Sequence, residues 1–325
     1  MIYDKEAKTV LLANLTSSEG MLADNEGKAT SHVEDYYRVK TYVKPDSMLH
    51  PVYPPFPQPY QLGQSLFGGT WNDYNKPFVI QVADCNLDCW YCFVPKELRD
   101  GAGTPFTAEQ VMDMWRKAGA PRVLRISGGE PTLAPAFLEE MMWLVSKEWV
   151  LLWIDTNLST GRSFVNTHMS TPGAFHQRNV ALSGCFKGFC NQDANLSTGA
   201  KFNSAGKGLI DRQLEMARQI VKETDLDIYF YVPGVIHKQW LANSASIIEE
   251  FFHRLRQEVS FFAPLRTYIL EVKNYSSTQT GEWDNWNAVL PEGRPIDIWQ
   301  KLCEQYYPEE LLWLPNNQVD LRWTI

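Results

Sequence analysis

Short apolar, β-prone runs alternate along the chain with segments in which apolar residues recur at helical spacing. Helices are predicted over residues 133–147, 210–222 and 247–257, and a capping box of Thr107 and Gln110 begins another. This alternation predicts parallel strands joined by crossover helices. Since six repeats are present and not eight, we expect an α/β fold with a partial (β/α)6 barrel of parallel strands as its core. The predicted strands cover residues 78–82, 123–126, 150–154, 180–182, 228–232 and 267–272.

The segments on either side of this core, which spans residues 77–275, carry weaker patterns. Residues 1–76 are expected to form an extended N-terminal arm, in which six prolines and three aromatics over residues 44–62 predict a strap with polyproline character. We expect the strap to pack on the domain, and a docking tail for a partner is the alternative. Residues 276–325 predict a C-terminal loop and helical extension. The polar, Trp-rich loop would either cover the open side of the barrel or simply pack on its surface.

The composition counts against several classes of protein. The chain has 325 residues and a formal net charge of −8 without a basic stretch, which counts against a broad nucleic-acid surface. Its apolar runs are too short to cross a bilayer, and the mixed charges at its N-terminus do not form a signal-peptide core. We therefore expect a cytoplasmic protein with reduced thiols and no membrane contact.

Three cysteines lie close together directly after the first predicted strand. Cys85, Cys89 and Cys92 follow the spacing C-x3-C-x2-C, with Tyr91 before the last. Three thiolates are one fewer than a cubane iron–sulfur cluster needs, so one iron would stay open to a ligand that is not protein. A closed zinc site would need a fourth ligand, and there is no other Cys and no His between residues 51 and 167. The motif therefore favours an iron–sulfur site.

A second motif ends the next predicted strand. Gly128 and Gly129 are followed by Glu130 and Pro131. Two glycines let the backbone approach a ligand closely, and the polar groups of such a turn, with Glu130, could receive an ammonium group. Pro131 stiffens the exit toward the following helix. An ordinary strand-to-helix turn is the alternative.

With these two motifs the chain resembles the radical SAM superfamily over roughly residues 77–275. The resemblance implies that the three cysteines hold a [4Fe–4S] cluster whose fourth iron is chelated by S-adenosylmethionine (SAM). It implies that Gly128 to Pro131 contact the methionine amine and that Tyr91 helps to seat the adenine. Reductive cleavage of SAM would then give a 5′-deoxyadenosyl radical that takes hydrogen from a substrate. An electron donor such as a flavodoxin or ferredoxin is implied as well.

Further candidates stand at the ends of the third and fourth predicted strands. Asp155 and Asn157 resemble a D/E-T-N-G segment of activating-enzyme members, in which Leu158 replaces the usual glycine, so we expect a different loop path. Ser183 begins the run S-G-C-F-K-G over residues 183–188, which resembles an S-x-K-G pattern of the same group. By position, these three residues are candidate SAM contacts. An Asp/Asn turn is the alternative for the first two.

The catalytic candidates are Cys185, as a hydrogen-atom donor or covalent handle, and Lys187, which would face the ribose or carboxylate of SAM, or the substrate. For Cys185, Cys190 and Cys303, plain buried thiols are the favoured interpretation, and a second cluster is the alternative. The ends of the fifth and sixth strands would line the substrate side of the cavity; they carry Tyr231, Pro233, Glu271 and Lys273, with His237 nearby.

The substrate is not determined by these motifs. Similarity to the activating enzymes favours hydrogen abstraction from a protein or peptide. Modification of a small metabolite or of an RNA base is an alternative, and the acidic balance counts mildly against RNA. A rival of another class is a protein that keeps the cluster as a structural or redox-sensing element without catalysis.

Overall fold

The structure is a computed structural model, and it describes residues 8–15, 30–40, 58–160, 179–270, 272, 283–286, 293–312 and 319–322. The strands are β1 (Thr9–Leu12), β2 (Thr30–Val33), β3 (Tyr37–Lys40), β4 (Phe78–Val82), β5 (Thr104–Thr107), β6 (Val123–Gly128), β7 (Leu151–Thr156), β8 (Val180–Cys185), β9 (Asp227–Pro233) and β10 (Thr267–Leu270). The helices are α1 (Gln58–Phe67), α2 (Trp71–Tyr74), α3 (Lys96–Arg99), α4 (Ala108–Lys117), α5 (Pro135–Val145), α6 (Asn191–Thr198), α7 (Leu209–Glu223), α8 (Ser244–Arg254), α9 (Trp283–Trp286), α10 (Pro295–Tyr306) and α11 (Glu309–Leu312).

The core is a parallel sheet in the order β4-β6-β7-β8-β9-β10. All six predicted strands are present, and the α/β fold with a partial barrel is confirmed. The capping box is confirmed too, because Thr107 Oγ1 accepts from the Gln110 N–H at 3.2 Å and Gln110 Oε1 accepts from the Thr107 N–H at 2.8 Å. The strand ends that carry the sequence motifs therefore meet at one edge of the sheet.

Alternation along each strand separates two environments. Leu124 and Ile126 of β6 point outward into the main hydrophobic core, which they share with apolar residues of α4, α5, α7 and α8. Val123 of the same strand points inward, into a smaller cluster with Trp71 and Tyr74 of α2. The short helices α1 and α2 therefore close the barrel at the N-terminal ends of its strands.

The N-terminal arm contributes strands that the sequence pattern did not predict. β1 and β3 each pair antiparallel with β4, β2 pairs with β3, and β5 pairs with β1. They were missed because a strand of four residues shows too little alternation to be recognised locally. The domain boundary at residue 76 stays an expectation; β1 and β3 precede it and extend the sheet of the core.

The prediction of an extended strap over residues 44–62 is wrong at its C-terminal end. Residues 44–57 lie outside the described residues, but residues 58–62 belong to helix α1 and are not extended. Pro59 takes the second helical position, where its missing N–H removes no helical hydrogen bond. The helix predicted over residues 133–147 is also divided: Pro131–Leu133 forms a 3₁₀ turn, and α5 begins only at Pro135.

The C-terminal extension contains helices α9, α10 and α11 among its described residues, and residues 319–322 form a bend and a turn. In α10, Trp299 and Cys303 are fully buried, and Trp299 packs edge-on against Phe252 of α8 at 5.2 Å between ring centroids. Most of the Trp-rich loop lies outside the described residues. Within the part that is described, Trp286 is buried and stacks on Trp90 of the cysteine loop at 5.6 Å. Among the described helices, none is both long and apolar enough to span a membrane.

Candidate active site

The two motifs are joined by backbone hydrogen bonds. The Gly129 N–H donates to the carbonyl of Val82 at 2.7 Å, and the Glu130 N–H donates to the carbonyl of Asp84 at 2.8 Å. Val82 ends β4 and Asp84 immediately precedes Cys85, so the turn after β6 holds the start of the cysteine loop. This arrangement explains why a glycine pair follows one strand when the cysteines follow its neighbour.

Both glycines are required by this packing. Gly128 has φ = +100°, a left-handed conformation that side chains disfavour. At Gly129 an added Cβ would lie 1.7 Å from the carbonyl oxygen of Asp84, which no real contact allows. Asp84 itself has φ = +82°. The loop is therefore built at close backbone contact, and the glycines serve the fold at this point whether or not they also meet a ligand.

Glu130 lies beneath the loop and not on the cavity wall. Its carboxylate accepts hydrogen bonds from Thr156 Oγ1 at 2.7 Å, from the Asn157 N–H at 2.6 Å and from the Thr132 N–H at 3.1 Å. Burial raises the pKa of Glu130, and these hydrogen bonds oppose that shift. The expectation that its side chain receives an ammonium is not supported, because the carboxylate is fully buried and engaged. Glu130 instead joins the end of β6 to the end of β7, and Pro131 is buried beside it.

The three cysteines of the loop face one cavity of about 330 Å³ at the C-terminal ends of the strands. All are free thiols, Cys89 buried and the other two half-buried. Burial raises the pKa of each thiol, that of Cys89 to about 12, and neighbouring thiols add to the shift at Cys85 and Cys89. Thiols in this state must release their protons when they bind a metal centre.

The polar groups of the cavity do not form a site for a single metal ion among the described residues, and one of them lacks a partner. Within the described residues, no group of three His, Cys, Asp or Glu side chains could hold a single metal ion. A cubane cluster binds each thiolate through a different iron, so its ligands lie farther apart. Tyr91 also lines the cavity, and its hydroxyl is buried without a hydrogen-bond partner among the described residues. A buried hydroxyl of this kind indicates that a ligand completes the site.

Most of the predicted site residues come together in this cavity. Glu130 and Pro131 are absent from its walls, Glu271 and Lys273 lie outside the described residues, and His237 packs its ring against Trp286 at 5.0 Å. Tyr231 and Pro233 line the cavity as expected. The predicted cofactor and catalytic residues on its walls are Cys85, Cys89, Cys92, Tyr91, Gly128, Gly129, Asp155, Asn157, Ser183, Cys185 and Lys187.

Asn157 and Leu158 show how the third strand end is held. The Asn157 side-chain amide donates to Asn86 Oδ1 at 2.9 Å and lies 3.8 Å from Cys85 Sγ. Leu158 has φ = +56°, so it keeps the left-handed conformation that suits a glycine. Its buried side chain packs against Gly184, where an added Cβ would lie 2.7 Å from Leu158 Cδ1.

Ser183 and Lys187 occupy different parts of the cavity. Ser183 Oγ accepts from Trp153 Nε1 at 2.6 Å, deep in the barrel. Lys187 lies nearer the cysteines: burial alone would lower its pKa, but Cys185, Tyr91 and Cys89 raise it well above its usual value. An ammonium group is therefore held beside the cluster loop.

Three residues of the site were not predicted from the sequence: Gln213, Arg125 and Arg38. Gln213 of α7 donates from Nε2 to the carbonyl of Cys185 at 3.0 Å and also to that of Asn157, which ties the ends of β7 and β8 together. A signal for Gln213 is present in the run I-D-R-Q-L over residues 210–214, which resembles an F-x-x-Q-L pattern of the activating-enzyme members and keeps only its last two residues. Arg125 and Arg38 line the cavity as well. Arg125 shares an inward face with Ser127, whereas nothing local marks Arg38.

The comparisons with known proteins agree with this site. The model of the Radical SAM superfamily matches residues 79–180. The 7-carboxy-7-deazaguanine synthase of Methanothermobacter thermautotrophicus is 35% identical over 69 residues, which are 21% of this chain and 28% of that protein. The chain therefore aligns with less than a third of that curated relative.

Two solved structures are similar at low sequence identity. TsrM from Kitasatospora setae, a radical SAM methyltransferase with cobalamin and a [4Fe–4S] cluster bound, is 12% identical with a TM-score of 0.43, over 62% of this chain and 38% of TsrM. SuiB from Streptococcus suis, bound to SAM, is 13% identical with a TM-score of 0.38, over 60% of this chain and 38% of SuiB. The family model covers the cysteine loop, the glycine turn and the third strand of the core, so residues 79–180 of this chain are similar to the radical SAM superfamily.

Proposed function

We propose that this protein binds a [4Fe–4S] cluster through Cys85, Cys89 and Cys92 and cleaves SAM reductively to abstract hydrogen from a substrate. The observation that carries the proposal is the convergence of three free thiols, the glycine turn and the hydroxyl of Tyr91 on one cavity. When bound, the cluster and SAM together would supply one-electron cleavage of a sulfonium bond. An external electron donor such as a flavodoxin or ferredoxin would reduce the cluster.

The residues of this chain have separate tasks in the proposal. The backbone of Gly128 and Gly129 would contact the methionine end of SAM, while Glu130 holds that backbone from below. Tyr91 would meet the adenine. Asp155, Asn157 and Ser183 line the neighbouring wall as further contacts.

Lys187 and Cys185 are the candidates for roles beyond SAM binding. The Lys187 ammonium would offset the negative charge of the thiolate-bound cluster, since its nearest charged neighbours are cavity thiols and Tyr91. The thiol of Cys185 lies on the same wall and would be positioned to exchange hydrogen with a substrate. Whether Cys185 takes part is tested by product analysis of Cys185→Ala.

The test replaces the three loop cysteines with alanine together. The reconstituted wild type is expected to be brown and to release 5′-deoxyadenosine from SAM under dithionite, and the triple variant should show neither property. Cys190→Ala is the matched control, since Cys190 is a half-buried thiol outside the cavity wall, and it should behave as the wild type. A triple variant that still produces 5′-deoxyadenosine would reject the proposal, and a brown wild type without that product would favour the non-catalytic rival.

For the substrate, one observation favours a small molecule over the protein or peptide that the motifs suggested. Helices α1 and α2 close the bottom of the barrel, so the cavity is a pocket with a floor. A pocket of this form suits a whole small molecule or one inserted side chain better than an extended peptide. Mass analysis of a cell extract before and after incubation with the anaerobic enzyme distinguishes the classes, because a peptide substrate would appear only in the protein fraction.

A further inference from the structure

The last turn of helix α6 is bonded to the cysteine loop on both sides of Cys89. The backbone N–H groups of the residues before and after Cys89 donate to the carbonyls of Thr198 and Ser197, both at 3.0 Å. Cys89 itself is buried, whereas Leu196, which precedes these two residues in α6, is 52% exposed. The last turn of α6 therefore reaches from the backbone around a cluster ligand to the surface of the molecule.

Leu196 belongs to an exposed apolar surface that continues into the loop after α6. Phe202 of this loop is 53% exposed. The two residues are six positions apart, so their Cα atoms are separated by at most about 22 Å, which fits within one small protein interface. Two further large apolar side chains among the described residues are as exposed, Trp143 and Trp149. These two lie in the last turn of α5 and directly before β7, and therefore at the opposite edge of the sheet.

The segment that carries this surface is basic, although the protein as a whole is acidic. Residues 186–208 contain three lysines and a single acidic residue, Asp193, which is buried. The whole chain has a net charge of −8. On the other side of the contact with the cysteine loop, the carboxylate of Asp88 is paired with Arg99. The surface around the end of α6 therefore differs in charge from the rest of the molecule.

Two cations of this surface have no carboxylate partner. Lys201 is exposed and forms no ion pair within the described part of the chain. The Arg212 guanidinium donates to two backbone carbonyls, that of Gly208 at 3.3 Å and that of Lys201 at 3.4 Å. Lys207 is different, because Glu215 lies 2.7 Å from its ammonium and offsets its charge. Lys201 and Arg212 can therefore attract a negatively charged partner.

We propose that Leu196, Lys201, Phe202 and Arg212 form the docking surface for an acidic one-electron carrier protein that reduces the cluster. In each transfer the reduced carrier loses one electron and the cluster gains it, and no covalent bond forms or breaks. Electron transfer slows steeply with distance, so a carrier is effective where one turn of helix covers a cluster ligand. The inference rests on the proposed function, because the cluster is the electron acceptor.

The charges and the apolar side chains have different tasks in this docking surface. The cations raise the rate at which an acidic carrier meets the protein and orient its approach. The apolar side chains exclude water once the two surfaces touch. Interfaces between redox partners are small and weak, so a few residues of each kind are sufficient.

The binding experiment uses the reconstituted holoenzyme and two oxidised acidic carriers, a flavodoxin and a ferredoxin, titrated by calorimetry. Lys201→Glu should weaken binding about five- to tenfold, because attraction becomes repulsion. Lys117→Glu is the matched control: Lys117 is exposed at the end of α4, at the opposite edge of the sheet, and the change in net charge is the same. Equal weakening in both variants, or a wild type that binds neither carrier, overturns the docking surface.

Phe202→Ala tests the apolar part of the surface. It should weaken binding of the carrier about fivefold or more, whereas Trp149→Ala, the exposed aromatic of the opposite edge, should leave binding unchanged. Added salt should reduce the effect of Lys201→Glu and leave that of Phe202→Ala in place, because salt screens charges only. Unchanged binding in Phe202→Ala contradicts the proposed surface.

A kinetic experiment separates docking of the carrier from the chemistry. Dithionite is a small reductant that needs no protein surface, so Lys201→Glu should release 5′-deoxyadenosine at the wild-type rate with dithionite. With subsaturating reduced flavodoxin, the same variant should be about five- to tenfold slower than the wild type. A variant that is equally slow with both reductants shows that the surface serves cluster assembly or a protein substrate, and overturns the proposal.

The two proposals fail in different ways. A wild type that releases 5′-deoxyadenosine with dithionite, and a Lys201→Glu variant that flavodoxin reduces equally well, overturn the docking surface and leave the proposed function standing. A wild type that does not cleave SAM even with dithionite removes the proposed function, whatever the carrier titrations show.

Discussion

At the scale of single residues, close backbone contact determines much of the site. Gly129 has no room for a Cβ against Asp84, Gly184 has none against Leu158, and Leu158 keeps a left-handed φ that costs about 1 kcal/mol for a side chain. Glu130 also serves the fold, because the hydrogen bonds of its carboxylate hold two strand ends together. These residues shape the loops that any ligand of the cavity would meet.

We predict that Gly129→Ala prevents cluster assembly and lowers the free energy of unfolding by about 3 kcal/mol, because the new Cβ would displace the backbone next to Cys85. Gly119→Ala is the control: Gly119 has φ = +89° at the end of α4 but open space around it, so only the conformational cost of about 1 kcal/mol is expected. Iron content and urea unfolding measure both variants. Equal losses in the two would contradict the role of the close contact.

At the scale of elements, buried polar side chains join helices to the loops packed against them. Asp193 in the first turn of α6 accepts from the His237 N–H at 3.0 Å, which joins α6 to the segment after β9. Its second oxygen is buried without a hydrogen-bond partner among the described residues. Burial raises the pKa of Asp193 to about 7, and the hydrogen bond from His237 opposes the shift.

This pKa predicts a pH dependence of stability. An unfolded Asp titrates near pH 3.9, so between about pH 4 and pH 7 the folded state binds the proton more tightly, and ionisation destabilises the fold as pH rises through that window. The loss amounts to at most about 4 kcal/mol and is complete above about pH 7. Asp193→Asn cannot ionise, and its Oδ1 can still accept from His237.

We therefore expect the apo Asp193→Asn variant to be more stable than the wild type at about pH 8 and to lose most of this advantage by about pH 5. Urea unfolding of both proteins at several pH values gives the difference directly. If the difference between variant and wild type is constant across the window, Asp193 is not protonated in the folded protein.

At the scale of the whole molecule, one sheet combines a parallel barrel with antiparallel strands from the arm, and helices α1 and α2 form its floor. Trp71 and Tyr74 pack inside the barrel against Val123, Trp153 and Tyr229. The arm, the floor and the barrel thus share buried surfaces, and we expect them to unfold together.

The floor is tested by Trp71→Ala, which should lower the free energy of unfolding by about 3 kcal/mol or more, since a large buried ring is removed. Trp149 is the matched control because it is 77% exposed, whereas Trp71 is 9% exposed. Trp149→Ala should change the stability by less than about 0.5 kcal/mol. A small effect of both substitutions, or a separate early transition in Trp71→Ala, would show that the floor is not part of the common core.

Features that depend on residues close together in the chain could be predicted from the sequence alone. The cysteine spacing, the glycine pair, the capping box of α4 and the six parallel strands all follow from patterns a few residues long, and parallel strands must present their ends at one edge. That is why most predicted residues meet in one cavity. The tertiary structure alone decided what depends on pairing over long separations: that Arg38 of the arm lies opposite Val79, that Gln81 is buried without a partner among the described residues, and that Glu130 turns away from the cavity to Thr156 and Asn157. A side chain's direction in a sheet depends on which strand pairs with which and in what register, and no short stretch of sequence contains both strands.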